Sequence, residues 1–273
     1  MTDAVGGQEP CDTRVLTSFP VHGRDRHVPF EACFNFRDVG GYETTDGRRV
    51  RWGAIYRSDS LQFLTEDDQG ALGRLGVRTI VDLRSSAELA RAASRIADLT
   101  DVAVHHVPLF EEHSLPFKRA ELTGPEPPPG ETYLAIAAAG GDALAEAVRA
   151  IALGEHAVVF HCAAGRDRTG MLAAIVLSVL GVPDETIVTD YVLSDLAHGP
   201  AVAWAEVHAP ELAAEFASLP DWLLYASPVV MQAFLDGLRT QHGSVEDYLA
   251  AIGVGQDVLG TLRRRLLEET GPP

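Results

Sequence analysis

The stretch His161-Cys-Ala-Ala-Gly-Arg-Asp-Arg-Thr-Gly170 decides the fold, because it joins a segment typical of a strand to a segment typical of a helix. Residues 156–161 are mostly apolar, and a second apolar run extends from Asp167 to Leu180. In α/β proteins, ligands bind where a strand ends and a helix begins, and the unpaired N–H groups of the helix favour an anion. The sequence therefore predicts an anion-binding loop at this junction.

Strands and helices are predicted on both sides of the loop. The turn Asp46-Gly47 indicates a hairpin, capping patterns at Thr65 and Ser85 each open a helix, and an Ala-rich helix ends at Gly154. The remaining strands are predicted at 54–56, 78–83 and 102–107. After Pro183 the periodicity is helical. This order predicts an α/β fold, a central sheet flanked by helices with an all-helical C-terminal third.

The chain is expected to form a single domain. Residues 1–30 mix Gly, Pro, Asp and Arg without periodicity and predict a loosely structured lead-in, followed by one domain over 31–273. The Pro/Gly-rich segment 123–130 is interpreted as a surface loop, because strand signals lie on both of its sides.

Composition and charge exclude several classes of protein. Hydrophobic residues make up 46% of the chain and charged residues 22%, so a sizeable core is available and disorder throughout the chain is excluded. The net charge of −17 repels nucleic acid and anionic membranes at long range, so we expect neither nucleic acid nor stable membrane association. Cys11, Cys33 and Cys162 are too few for a disulfide framework and lack zinc-ligand spacing. With no signal peptide visible, a reducing, cytoplasmic location is expected.

The spacing within the loop suits a tetrahedral phosphate. Five residues separate Cys162 from Arg168, so the loop can curl around one anion, with the sulfur beneath the phosphorus and the guanidinium forked onto two oxygens. The same amides favour a thiolate at Cys162, and the Thr169 hydroxyl can hydrogen-bond the sulfur. His161 is expected to orient the loop. The expected phosphate-binding residues are Ala163, Ala164, Gly165, Arg166, Asp167 and Arg168.

These residues resemble the signature loop of cysteine-dependent phosphatases, and specifically that of the atypical bacterial tyrosine phosphatases. The loop is similar to HCxxG[KR]DRTG, and further islands match the family in order from about residue 35 to 265. They are Asn35-Phe-Arg-Asp-Val-Gly-Gly-Tyr42, Tyr56-Arg-Ser58, Val81-Asp-Leu-Arg-Ser85 and Asp190-Tyr-Val-Leu-Ser194, with Gly243-Ser244, Tyr248-Leu249 and Leu262-Arg263 in the last helices. The resemblance therefore covers nearly the whole chain.

The resemblance implies a cysteine-phosphatase-like fold and a mechanism through a cysteinyl-phosphate, with no metal and no other cofactor. It also implies that a helical lid, here within 196–234, covers the pocket; deleting 198–226 should then change turnover and KM of small substrates. Ordinary helix packing is the alternative for these residues. The family loop usually carries Lys where this chain has Arg166, and in the family this lysine helps to accommodate additional phosphate groups. This departure, together with the acidic surface, weighs against a phosphoinositide preference. Phosphotyrosine protein, phosphoinositide and a small metabolite stay as the three substrate classes that the sequence leaves open.

Two aspartates compete for the role of general acid. Asp167 lies inside the loop, and Asp82 ends a strand from which it could reach the pocket rim. Either could instead be an ion-pair partner, Asp82 of Arg84 and Asp167 of Arg37 or Arg57. Arg57 is a candidate rim residue, whereas Asn35, Arg37 and Asp38 are expected to stabilise the N-terminal turn.

The sequence thus predicts a phosphomonoester hydrolase that acts on phosphotyrosine or on a small-molecule phosphate ester. Its partners would be phosphorylated proteins or small molecules, and no oligomeric state is predicted. Three alternatives are a metabolite phosphatase in a biosynthetic pathway, a catalytically inert phosphate-binding protein, and sulfur or arsenate chemistry on a similar loop. The intact Cys162, Arg168 and Thr169 argue against the inert protein, because binding alone requires no nucleophile.

Overall fold

The strands of the computed structural model, which describes residues 25–91, 101–111 and 127–270, form two sheets. The larger sheet has the order β1-β3-β6-β4-β5, in which β1 is antiparallel to β3 and all other neighbours are parallel. The smaller sheet pairs β2 with β7 in antiparallel fashion. The strands are β1 Arg37–Asp38, β2 Arg48–Val50, β3 Ile55–Ser58, β4 Val77–Asp82, β5 Ala103–His106, β6 Ala157–His161 and β7 Leu267–Glu269.

Helices cover both faces of the larger sheet. They are α1 Glu66–Arg74, α2 Ser86–Arg91, α3 Glu131–Ala139, α4 Gly141–Leu153, α5 Asp167–Leu180, α6 Asp184–Val192, α7 His198–His208, α8 Pro210–Ala217, α9 Pro228–His242, α10 Val245–Ala251 and α11 Gln256–Leu266. Short 3-10 turns lie at Leu61–Phe63, Leu193–Ala197 and Asp221–Leu223. Alternating residues of β4 enter two apolar cores, Ile80 beside α1 and Val81 on the side of α4 and α5. The predicted sheet flanked by helices is confirmed.

The individual elements agree closely with the sequence predictions. Helix α5 spans the predicted range and ends at Leu180; it is followed by Gly181, whose φ of 84° is readily adopted by glycine alone. The predicted capping patterns at Thr65 and Ser85 are both present, Ser85 exchanging hydrogen bonds with Glu88. The hairpin at Asp46-Gly47 places Glu43 opposite Arg49 in an antiparallel bridge.

Two predictions about elements were wrong. The Ala-rich helix is two helices, α3 and α4, interrupted at Gly140, whose φ of −99° and ψ of 20° depart from the helical conformation. Glycine is required there, because a Cβ would clash with the Leu109 carbonyl. The C-terminal third is helical only up to Leu266, after which β7 pairs with β2. Three residues are too short a run to show the alternation that identifies a strand.

Parts of the predicted organisation lie outside the described residues. These are residues 1–24 of the lead-in, which include Cys11, and residues 123–126 of the Pro/Gly-rich loop. Within the remainder of the lead-in, Arg26 is buried and donates to the carbonyls of Asp38 and Gly40. The division into lead-in and domain stays a prediction. Across the described ranges, no helix is both long and apolar enough to cross a bilayer.

Candidate active site

The signature loop lies at the edge of the sheet where three parallel strands end. In the strand register, Ser58 at the end of β3 and Asp82 at the end of β4 both lie opposite His161, the last residue of β6. Cys162 follows at once, and α5 begins at Asp167, so the loop is held between a strand and a helix N-terminus. The N–H groups of the first helical turn are therefore available to an anion.

The loop turns sharply at Gly165. Its φ is 68°, and a Cβ there would collide with the backbone of Ser58 and Asp59. Only glycine meets both requirements, the positive φ and the close approach. Ala163 and Ala164 are exposed, whereas the Cys162 side chain is 2% exposed. The nucleophile therefore lies at the bottom of a loop whose first residues form the entrance.

Arg168 is held by Glu88 through a pair of parallel hydrogen bonds. Its Nη1 donates to Oε2 at 2.5 Å and its Nη2 to Oε1 at 2.8 Å, while Nη1 also reaches the Leu83 carbonyl. Burial opposes the charge, but the hydrogen bonds to Glu88 and the neighbouring Cys162 outweigh it and raise the pKa of Arg168. Its Nε makes no hydrogen bond to any residue in the described ranges. The Nε side of the guanidinium is therefore available to donate a hydrogen bond to a phosphate.

Asp167 accepts hydrogen bonds from a tyrosine hydroxyl and an arginine side chain. Tyr133 donates its hydroxyl to Oδ1 at 2.6 Å, and Arg166 donates through Nε to Oδ1 and through Nη2 to Oδ2. The Tyr133 hydroxyl also lies 2.8 Å from the hydroxyl of Tyr191. Burial raises the pKa of Asp167, but the charge and hydrogen bonds of Arg166 outweigh it, and the pKa is lowered. The side chain is nevertheless 37% exposed, so it can meet a substrate.

Asp82 occupies a different environment. It is 2% exposed, and the Arg84 side chain donates to both of its oxygens, the shortest bond being 2.7 Å from Nη2 to Oδ2. Burial works against the charged form, but the neighbouring His161 and the hydrogen bonds and charge of Arg84 lower the pKa of Asp82 to about 2. The carboxylate is thus held as the partner of Arg84, which the sequence analysis gave as its alternative role.

His161 and Thr169 are both fully buried beside the loop. His161 places Nδ1 3.2 Å from the Cys162 carbonyl, and burial lowers the pKa of its imidazole. The Thr169 hydroxyl has no hydrogen-bond partner among the described residues. A buried hydroxyl without a hydrogen-bond partner costs free energy. We therefore expect the Thr169 hydroxyl to donate to an acceptor that forms during the reaction.

Arg57 and Arg37 do not contact Asp167, and Arg57 is not at the rim. Arg57 is fully buried, with Nη1 2.5 Å from Asp190 and Nη2 2.8 Å from the Gly165 carbonyl. Arg37 also pairs with Asp190, through Nε at 3.1 Å. Both arginines therefore pair with the same buried carboxylate, that of Asp190 on α6. From there Arg57 reaches the carbonyl side of the loop.

The segment predicted as a lid contacts the loop through Arg166. Its Nη2 donates to the Leu223 carbonyl in the 3-10 turn Asp221–Leu223. Trp204 of α7 packs against Phe63 and Phe34, with ring centroids 5.0 and 6.1 Å apart. These contacts place the segment against the loop and its neighbours, and the function of 196–234 as a lid stays a prediction.

The sequence analysis missed the roles of Glu88, Tyr133, Asn35 and Asp190. Glu88 belongs to the capping pattern that begins at Ser85, and a single glutamate in such a pattern carries no sign of a second partner. Tyr133 lies on α3, in a region where no motif was recognised. Asn35 and Asp190 belong to the islands that resemble the family, and this was the one available signal for them. Among the described residues, no cluster of three or more His, Cys, Asp or Glu side chains could hold a metal.

Comparisons with known proteins match most of the chain. A family model described as the tyrosine phosphatase family matches residues 28–268. Triple specificity protein phosphatase PtpB of Mycobacterium tuberculosis is 30% identical over 279 residues, covering 89% of this chain and 99% of its own. A tyrosine-protein phosphatase of Nostoc commune is 29% identical, covering 78% and 74% respectively. The solved Siw14 catalytic core is 18% identical, with a TM-score of 0.38 and coverage of 75% of this chain and 100% of that core. The sequence similarity therefore includes the sheet, the loop and the helices that follow it.

Proposed function

Since the chain belongs to the tyrosine phosphatase family and is a cysteine-dependent phosphatase, we propose that it hydrolyses phosphotyrosine or small phosphate monoesters through a cysteinyl-phosphate. The observation that carries the proposal is the arrangement of Cys162 at the base of the loop and Arg168 buried beside it. A positively charged fork and a helix N-terminus together suit a phosphate dianion. A reducing, cytoplasmic location belongs to the proposal, because Cys162 must remain a free thiol.

The proposed reaction has two steps. The Cys162 thiolate attacks phosphorus, the bond from phosphorus to the ester oxygen breaks, and Asp167 transfers its proton to the departing oxygen. In the second step, Asp167 accepts a proton from water as the water attacks phosphorus, and the bond from sulfur to phosphorus breaks. Inorganic phosphate leaves and the thiolate is regenerated. Arg168 and the loop amides stabilise the equatorial oxygens in both transition states.

Asp167 suits the acid better than Asp82 because its neighbours permit both protonation states. Tyr133 and Tyr191 form a hydroxyl pair in which either oxygen can donate. When Asp167 is ionised, Tyr133 donates to it; when Asp167 is protonated, the pair can reverse and accept. The negative charge of a bound phosphate disfavours the neighbouring carboxylate and so favours protonation of Asp167. An arginine donates to both oxygens of each carboxylate, so the difference lies elsewhere. Asp167 has the Tyr133 hydroxyl beside it and is 37% exposed, whereas Asp82 is only 2% exposed.

The test of the proposed function is direct detection of the intermediate. Wild-type protein is mixed with p-nitrophenyl phosphate in the presence of EDTA, quenched with acid and digested for mass spectrometry. We expect hydrolysis in EDTA and a phosphoryl group on the peptide that contains Cys162. Hydrolysis without any phosphoryl-cysteine, or hydrolysis abolished by EDTA, would contradict the mechanism. A panel of phosphotyrosine peptides and metabolite phosphates then distinguishes the two substrate classes.

Replacing Asp167 with asparagine should produce a loss that depends on the leaving group. We expect kcat to fall by about 10²-fold with phenyl phosphate, whose leaving group needs a proton, and much less with p-nitrophenyl phosphate. The decrease of kcat at high pH, where an acid of this kind loses its proton, should also disappear.

In Tyr133→Phe the loss of a donor to the carboxylate raises the pKa of Asp167, so the decrease of kcat at high pH should move to higher pH.

The matched control for the acid is Asp82→Asn. Because Asp82 is buried and pairs with Arg84, any loss in this variant should be equal for the two leaving groups. Kinetics for both substrates over a range of pH measure all of these quantities. A loss that depends on the leaving group in Asp82→Asn, with none in Asp167→Asn, would assign the acid to Asp82 instead.

A further inference from the structure

Three consecutive carbonyls of the loop accept hydrogen bonds from residues outside it. The Ala163 carbonyl accepts from the Ser60 N–H at 2.9 Å, the Ala164 carbonyl from Asn35 Nδ2 at 2.9 Å, and the Gly165 carbonyl from Arg57 Nη2 at 2.8 Å. The C=O and N–H groups of a peptide unit point in opposite directions, because the unit is planar and trans. Fixing these carbonyls therefore fixes the direction of the N–H groups of the next three residues.

The N–H groups fixed in this way belong to Ala164, Gly165 and Arg166, which are among the donors expected to bind phosphate. A loop of this kind has no regular hydrogen-bonding pattern of its own to prevent a peptide unit from flipping. A single flip would replace an inward N–H by a carbonyl oxygen, which repels an anion. The orientation of these three peptide units therefore bears directly on phosphate affinity.

Two of the three donors are side chains, and both connect to α6. The Arg57 guanidinium divides its two ends between the Gly165 carbonyl and Asp190, which are 2.8 and 2.5 Å away. Asn35 donates to Ala164 and accepts from Arg37 through Oδ1, while Arg37 in turn donates to Asp190. Asp190 is 1% exposed, and burial, which raises its pKa, is outweighed by Arg37 and Arg57, so its pKa is lowered.

The burial of this network indicates a task other than stability. Moving several charges out of water is expensive, and a buried ion pair adds less to stability than well-packed apolar residues of similar volume. Arg57 Nη2 donates a hydrogen bond to the Gly165 carbonyl of the loop, and an apolar side chain could not make this bond. Outer residues that orient the groups in contact with a ligand typically change affinity or activity by about 10- to 100-fold when replaced.

We propose that Asn35, Arg57 and Asp190 form a loop anchor, a set of positioning residues that holds the loop N–H groups toward the phosphate. Asp190 acts through Arg57 on the Gly165 carbonyl, and Asn35 acts on the Ala164 carbonyl. The inference rests on the proposed function, because it assigns these residues to the phosphate site of that reaction. None of the three needs to contact the substrate.

The deciding variant is Arg57→Lys, with Tyr42→Phe as its matched control. Lysine keeps the positive charge beside Asp190, but one ammonium cannot replace the fork that joins Asp190 to Gly165. Tyr42 donates to the same Asp190 carboxylate at 3.0 Å and makes no hydrogen bond to the loop. Tyr42→Phe therefore weakens the buried network without releasing the carbonyl.

We measure three quantities for each protein: the affinity for inorganic phosphate by calorimetry, kcat and KM with p-nitrophenyl phosphate, and the Tm. Arg57→Lys should weaken phosphate binding by about tenfold and lower kcat/KM by about 10²-fold, because a misplaced loop harms ground state and transition state alike. Tyr42→Phe should lower the Tm but leave phosphate affinity and kcat/KM within about threefold of wild type. Phosphate affinity in Arg57→Lys equal to that of wild type would overturn the proposal, and so would an equal loss in Tyr42→Phe.

A second variant keeps the test decisive if Arg57→Lys does not fold. Asn35→Asp has almost the same shape and keeps the oxygen that accepts from Arg37, but it replaces the donor facing the Ala164 carbonyl by an acceptor. The same loss of phosphate affinity is expected, and unchanged affinity would overturn the proposal. Phosphate binding is measured without turnover. If wild type formed no phosphoryl-cysteine, the proposed function would fail while the anchor could still be tested on bound phosphate.

Discussion

Replacing Cys162 with serine is expected to lower kcat for p-nitrophenyl phosphate by about 10⁴-fold or more, because a serine hydroxyl remains protonated where a thiolate forms. The loop amides and Arg168 are unchanged in this variant, so inorganic phosphate should bind as in wild type. A loss confined to kcat identifies Cys162 as the attacking group and not as a binding residue. The variant should also trap substrates, since it binds them without forming the intermediate.

The control for this variant is Cys33→Ser. Cys33 is the other cysteine in the described ranges, and it is equally buried, with its sulfur 2.7 Å from Asp59 and 2.9 Å from the Ser58 hydroxyl. Burial, followed by the negative charge of Asp59, raises the pKa of the Cys33 thiol, so it is held in its unreactive form. We expect kcat of Cys33→Ser to stay within about threefold of wild type. Steady-state kinetics in EDTA decide the matter, and Cys162→Ser with wild-type turnover would exclude the cysteinyl-phosphate.

Replacing Arg168 with lysine is expected to lower kcat/KM by about 10³-fold, although the positive charge is kept. The guanidinium holds Glu88 with its two terminal nitrogens, and its Nε, which has no partner within the described part of the chain, can join in binding phosphate. A lysine ammonium is a single point charge and cannot serve both partners in one plane. The loss should be divided between a higher KM and a lower kcat, because the Nε side of the guanidinium contacts the phosphoryl oxygens in the ground state and more strongly in the transition state.

Arg239→Lys is the matched control, because Arg239 makes a similar fork with Asp184 away from the loop, at 2.5 and 2.6 Å. This pair is partly exposed, so its replacement should cost little stability and leave activity unchanged. We measure kcat, KM and phosphate affinity for both variants. The comparison distinguishes the effect of losing any arginine–carboxylate pair from the effect of losing the Arg168 guanidinium at the loop. Arg168→Lys with kcat/KM close to that of wild type would contradict the role assigned to the guanidinium.

The sequence was sufficient for those parts of the site that depend on consecutive residues. The loop from Cys162 to Thr169, the strand before it and helix α5 after it are continuous, so their spacing alone determines which groups meet. The hydrophobic periodicity likewise identified β4 and β6, since residues buried on both faces form continuous apolar runs. The resemblance added the islands at Asn35 and Asp190, but it did not indicate what they contact.

The remaining features depend on contacts between distant parts of the chain. Tyr133 reaches Asp167 across 34 residues, and Arg57 reaches Gly165 across 108. No local pattern specifies such a contact, because each residue also has an ordinary local role that explains its presence. Glu88 illustrates this, since it caps α2 and at the same time holds Arg168. Strand β7 could not be predicted for the same reason, since its partner β2 lies more than two hundred residues earlier in the chain.

The three fixed carbonyls of the loop also determine when the site can exist. Their donors come from residues 35, 57 and 60, and the first two depend on Asp190, which follows the loop in the chain. Contacts of such large sequence separation form late, after the entropy of closing long loops has been overcome. During synthesis, a chain that has emerged only as far as Gly170 carries the complete signature loop but lacks the carboxylate that holds Arg57 in place. Competence to bind phosphate is therefore a property of the finished fold, acquired at the end of assembly.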